Sequence, residues 1–132
     1  MSEKLCVLKK IGGGTLKETV LWTNSSPTSS MTQQYLSLSD SIANYDYIKV
    51  VIAVSTSDLT STVTTIMDAS EIISKGADYR NCFYGNPIGV NTIRLALGNS
   101  DSTKFGFSDC YQFATATTYN NTAIPLSISG LK

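Results

Sequence analysis

Residues 45–54, Tyr-Asp-Tyr-Ile-Lys-Val-Val-Ile-Ala-Val, constrain the fold of this chain more than any other stretch. Their β-branched and aromatic side chains pack well on a pleated surface. Ile48, Val50, Ile52 and Val54 recur with a period of two, so an extended backbone puts all four on one face. The opposite face receives Tyr47, Lys49, Val51 and Ala53 and is only partly apolar. One apolar face and one mixed face suit the centre of a sheet that packs on a second sheet. The stretch reads as the central strand of an all-β, antiparallel β-sandwich.

The same alternation recurs along the chain. Leu5, Val7 and Ile11 outline a first strand, which Gly12, Gly13 and Gly14 break with a turn or hinge. Leu16, Val20 and Trp22 stand in phase in a second strand, 15–22. The polar run 23–30 connects it to a third strand, with Leu36 and Leu38 on one side and Met31 and Tyr35 on the other. A single helical turn at 39–44, capped by Ser39 or Asp40, precedes the central strand. The Thr/Val-rich run 60–67 continues the sheet, and 69–75 is open between a short helix and a loop.

Strand patterns at 79–84 and 90–97 flank Gly85-Asn86-Pro87-Ile88-Gly89, which predicts a hairpin. Phe105, Phe107, Tyr111 and Phe113 share one face of a strand at 104–113, and 115–122 is a polar connection. Ile124, Leu126 and Ile128 form a last strand, and Pro125, which has no N–H, predicts that it lies at an edge. The sum is a jelly-roll-like sandwich of about nine strands with at most a helical turn or two. Its expected organisation is an N-terminal strand and Gly hinge over 1–14 and a single sandwich domain over 15–132.

A chain of 132 residues can bury a core without disulfides. Ten basic and ten acidic side chains cancel, so long-range attraction to nucleic acid or anionic membrane is not expected. Charged residues make up only 15%, with Ser, Thr and Asn in their place, a surface common to adhesins, virion proteins and plain β-proteins. Cys6, Cys82 and Cys110 show neither an even count nor C-x-x-C spacing, which favours buried free thiols. No run approaches the length of a membrane span, and the start lacks the apolar segment and cleavage site of a signal peptide.

The chain has no histidine, so a Ser-His-Asp or Cys-His arrangement cannot form. Glu3, Glu18 and Glu71 are its only glutamates. Asp40, Asp46, Asp58, Asp68, Asp78 and Asp101 fall in predicted turns and caps. Asp109 sits inside a strand pattern, where a cross-strand Lys or Arg partner explains it better than catalysis. No calcium loop, phosphate-binding loop or cofactor motif is present, and no enzymatic activity is expected. Asn24 and Asn120 match the glycosylation sequon, a frequent coincidence in Ser/Thr-rich chains.

Phe105, Phe107 and Phe113 read as core, and Trp22 as core or semi-buried. The candidates for a ligand surface are Tyr79, Arg80 and Tyr84 beside the hairpin, and Tyr119, Asn120 and Asn121 in the last loop. Exposed Tyr and Arg favour recognition, and ordinary rim residues account for them equally.

Two segments carry a resemblance. The first is Leu21-Trp22-Thr23-Asn24-Ser25-Ser26-Pro27, followed by Tyr35-Leu36-Ser37-Leu38 and then Tyr45-Asp46-Tyr47-Ile48. The second is Ile124-Pro125-Leu126-Ser127-Ile128-Ser129-Gly130-Leu131-Lys132. Together they resemble a module of tail proteins from phages of Gram-positive bacteria, with Leu131 where the family pattern has Ile. The resemblance covers 19–54 and the last nine residues. It implies a β-sandwich head at the tip of a tail fibre or baseplate, often trimeric and often binding host cell-wall saccharide. The long shaft that usually precedes such a head is missing here. The quoted motifs mark scaffold, so no sugar-contacting residue is carried across. The resemblance thus implies a virion component made in the bacterial cytoplasm, with other tail proteins as partners. The other reading is an assembly or decoration protein without a ligand.

Overall fold

A computed structural model describes residues 15–27, 34–53, 58–75, 80–84, 91–96, 102–107, 109–112, 117–118 and 124–132. Ten strands are assigned among them, with one short α-helix and one 3-10 turn, so the chain is all-β and antiparallel. They are β1 (Glu18–Thr23), β2 (Gln34–Ser37), β3 (Tyr47–Ala53), β4 (Thr62–Asp68), β5 (Arg80–Tyr84), β6 (Asn91–Ala96), β7 (Lys104–Phe107), β8 (Asp109–Gln112), β9 (Thr117–Thr118) and β10 (Ile124–Leu131). The 3-10 turn is Ile42–Asn44, and the helix, α1, is Ala69–Lys75. The expected strand at 5–11, the glycine hinge and the turn at 85–89 lie outside the described residues, as do Met31, Val54 and Cys6.

Sheet A has the order β1-β10-β3-β4, all antiparallel. As the alternation predicts, β3 is an interior strand, and Ile48, Val50 and Ile52 are 0%, 0% and 1% exposed. Burying each such side chain contributes about 2 kcal/mol. They join one core with Leu36 and Leu38 from β2 and its exit, Phe105 from β7, and Ala69 and Ile72 from α1. Trp22 and Tyr45 pack against it half-buried. β2 and β7 pair with each other, and Leu36 and Phe105 of this ribbon belong to the same core as Ile48, Val50 and Ile52 of sheet A.

Four expectations change. First, β10 is not an edge strand: it lies between β1 and β3. Pro125 is tolerated because β1 pairing ends at Thr23↔Ser127 and the β3 register shifts between Pro125 and Ser127. The missing N–H therefore falls beyond the last β1 pair. Asn24 closes this corner: its N–H donates to the Leu126 carbonyl (2.9 Å) and its Nδ2 to the Pro125 carbonyl (2.9 Å). That gives the first sequon asparagine a structural task.

Second, Leu21 rather than Val20 faces the core, at 3% against 56% exposed. A bulge between Val20 and Trp22 flips the phase of β1. The Leu21 carbonyl left over by the bulge accepts from the Ser39 N–H at 2.9 Å, tying the exit of β2 to sheet A. Third, 104–113 is not one strand. β7 pairs with β2 and β8 pairs with β6, so Phe105 and Tyr111 belong to different sheets. Phe105 is fully buried, while the side chain of Phe107 and all of Phe113 lie outside the described residues. Fourth, the polar connection 115–122 contains the short strand β9.

The 3-10 turn is capped by Ser41, not by the expected Ser39 or Asp40: the Ser41 Oγ accepts from the Ala43 N–H. Asp40, one residue earlier, accepts from the Ser41 N–H (2.7 Å), the Asn44 amide (2.8 Å) and the Tyr45 hydroxyl (3.0 Å). The Tyr45 ring lies over Gly130 of β10, so close that any Cβ there would overlap it. The 69–75 ambiguity resolves as helix. Asp68 Oδ1 accepts from the backbone N–H groups of Ser70 (3.0 Å) and Glu71 (3.2 Å), satisfying donors that a helix start leaves free.

Candidate functional site

Polar groups near sheet A are occupied with one another. Lys49 bonds Glu18 at 2.6 Å across the buried Ser129. Burial pushes the Glu18 carboxyl up, but hydrogen bonds from Lys49 and Ser129 and the Lys49 charge outweigh it and hold the carboxyl below its usual range. The Ser41 N–H, the Tyr45 hydroxyl and the Asn44 amide lower Asp40. Burial, followed by Asp40, raises Tyr45. The Thr60 hydroxyl lowers Asp58 and the Ser70 hydroxyl lowers Asp68. Donors that hold a carboxylate as the anion suit turns and caps, and Asp40, Asp58 and Asp68 serve there as their sequence positions predict. Among the described residues no cluster of His, Cys, Asp and Glu could hold a metal ion.

Sheet C, of order β5-β6-β8-β9, is built differently. β5 and β6 form the antiparallel hairpin that the 85–89 turn signal predicts, with Tyr84 opposite Thr92 and Arg80 opposite Ala96. β8 adds to β6 with Tyr111 opposite Thr92 and Asp109 opposite Arg94, and β9 adds Thr118 opposite Tyr111. The expected cross-strand partner of Asp109 is therefore Arg94.

Cross-strand neighbours share a face, and the face changes at every residue along a strand. The register therefore assigns Arg80, Cys82 and Tyr84 of β5, Thr92, Arg94 and Ala96 of β6, Asp109 and Tyr111 of β8, and Thr118 of β9 to one face. The other face receives Phe83, Ile93, Cys110 and Leu95 at its centre, with Asn81, Asn91, Gln112 and Thr117 around them. Every charged residue of sheet C falls on the first face: two arginines and one aspartate, a surplus of one positive charge.

Two candidates, Arg80 and Tyr84, are strand residues on that face. Tyr79, Tyr119, Asn120 and Asn121 lie outside the described residues. The register row that begins at Tyr84 runs through Thr92 and Tyr111 to Thr118.

Arg94 and Tyr111 were not among the sequence candidates. Tyr111 stands two residues from Asp109 on β8, so the two share a face. The charge at Asp109 is the signal that could have identified this face. No known protein family and no curated protein sequence matches the chain. No helix among the described residues is long and apolar enough to cross a membrane.

Proposed function

We propose that this chain is a structural protein of a phage tail, a fibre-tip or baseplate domain that helps attach the virion to saccharide on a Gram-positive host. In this reading sheet A and the β2–β7 ribbon are two layers of a β-sandwich, supported by the core that Ile48, Val50, Leu36 and Phe105 share. The segments that carry the resemblance supply β1, β3 and β10, three adjacent strands of sheet A, together with β2 of the ribbon. The head acts as a homo-oligomer, a trimer by the resemblance, beside other tail proteins, and it performs no catalysis.

The observation that carries the attachment role is the sorting of Arg80, Tyr84, Arg94, Asp109 and Tyr111 onto one face of sheet C. Burying two guanidinium groups and a carboxylate is costly, which supports reading this face as the one that meets water. Aromatic rings offer flat apolar surface to the C–H face of a sugar, and Arg and Asp exchange hydrogen bonds with its hydroxyls. The test is binding of the protein to purified Gram-positive wall saccharide by calorimetry. Binding in the micromolar to millimolar range, weakened at least tenfold by Tyr84→Leu, is expected. No binding at millimolar saccharide overturns the attachment role.

A further inference from the structure

We propose that Asp40 is an acid-opened latch on sheet A: as a carboxylate it pins the Tyr45 ring over Gly130, and as a neutral acid it lets the ring go and loosens β1. The latch belongs to the scaffold and stands apart from the attachment role.

Residues 38–46 carry the chain from the β2–β7 ribbon to sheet A and are fastened at both ends. On the ribbon side the Leu38 and Ile42 N–H groups donate to the Thr103 and Ser102 carbonyls (2.8 and 2.9 Å), and the Ser41 and Ser102 hydroxyls bond each other (2.6 Å). On the sheet side the Asp46 N–H donates to the Leu131 carbonyl (2.9 Å). Between these fixed points stands Tyr45, half-buried, with its ring against Gly130, where no Cβ keeps it off the backbone. Thr19 of β1 is the register partner of Gly130 and hydrogen-bonds the Tyr45 hydroxyl. That hydroxyl in turn donates to Asp40 Oδ2 (3.0 Å), while Oδ1 accepts from the Ser41 N–H and the Asn44 amide. A line of side chains therefore runs from the outer strand β1, over β10, to one carboxylate.

Asp40 is the ionised end of that line. Protonating it turns bonds to an anion into neutral ones, roughly half as strong, and places a donor on a group that three donors already face. Lys132, at the end of β10, is the charge that acts on Asp40, and it favours the anion; Ser41, Asn44 and Tyr45 present neutral donors. With the Ser41 N–H first among them, these groups hold the carboxyl below its ordinary range. Its stabilisation is therefore complete at neutral pH and is lost as pH falls below about 4. Tyr45 is shifted the other way, by burial and then by Asp40, so its ionisation opens the latch only above about pH 10. What the latch releases is β1. Within sheet A that strand pairs only with β10, and Glu18, Thr19 and Val20 are exposed, whereas Ile48, Val50 and Ile128 are held in the core. The other acid of β1, Glu18, bonds Lys49 on the opposite face of the sheet.

The test is a pH titration of the whole chain followed by NMR at Gly130, whose α-protons lie in the ring current of Tyr45. Their shifts should be displaced from the ordinary glycine position at neutral pH and return towards it below about pH 4, while the amide signals of Ile48 and Val50 stay in place. Asp40→Asn, a neutral side chain of the same shape, should give the acid position at neutral pH and bring the Tyr45 titration down towards the ordinary tyrosine range. At one fixed pH its Thr19 N–H should exchange about tenfold faster than in the wild type. Tyr45→Phe, which keeps the ring but not the bond, should make Gly130 insensitive to acid. Glu18→Gln removes the other acid of β1 and should leave the Gly130 titration as in the wild type. A wild-type titration at Gly130 in Asp40→Asn, unchanged exchange at Thr19, or a Gly130 signal that moves only together with Ile48 and Val50 overturns the inference.

Discussion

Sheets A and C are both four-stranded and antiparallel, yet they dispose of charge in opposite ways. In sheet A each described charge has a local task. Lys49 answers Glu18, and Asp68 is spent on starting α1. In sheet C the register sets Arg94 opposite Asp109 and Arg80 opposite Ala96, with Tyr84 and Tyr111 in a separate row at the other end of β5. Alternation built both sheets, so alternation alone does not tell them apart. What differs is how their charged residues are placed: in sheet A in pairs and caps, in sheet C all on one face by register.

Substitutions can break or sharpen that contrast. The largest effect should come from Phe105→Ala, which empties a fully buried site where β7 meets sheet A. Loss of about 4 kcal/mol by urea unfolding is expected, without a selective change at sheet C. A loss below about 1 kcal/mol would mean that the ribbon and sheet A do not share one core. Next is Gly130→Ala, whose Cβ would overlap the Tyr45 ring. That ring is braced by the bond to Asp40, so it cannot simply swing aside. A cost of about 2 kcal/mol is expected, partly restored by adding Tyr45→Ala, again read from unfolding midpoints.

The smallest effect concerns Arg94 and Asp109. A double-mutant cycle with alanine should give a coupling of about 0.5 kcal/mol, as for an exposed cross-strand ion pair. A coupling of several kcal/mol would mean a buried pair, and the contrast between the sheets would fail.

The sequence made the central strand legible because period two is unambiguous when every second residue is Ile or Val. The hairpin of β5 and β6 was legible from Gly85-Asn86-Pro87. Other features depended on interactions that no local pattern reports. The bulge at Leu21 reverses the phase of β1 without a glycine to mark it. Pro125 excludes an interior strand only if that strand is paired on both sides at the proline, and β10 is not. The aromatic run after Lys104 hid a change of sheet, and with it the place of Tyr111. Arg80 and Tyr84 were found from residue type beside a turn; Arg94 emerged only from the register.

The position of β10 sets a schedule for biosynthesis. Strand β1 bonds β10, and β3 reaches β1 only through it, so sheet A cannot close until residue 131 has left the ribosome. Until then Leu21, Ile48, Val50 and Ile52 are held by nascent chain alone, a non-local closure of the slow kind. Premature termination before residue 124 would release a polypeptide with two sticky strand edges and no means of joining them.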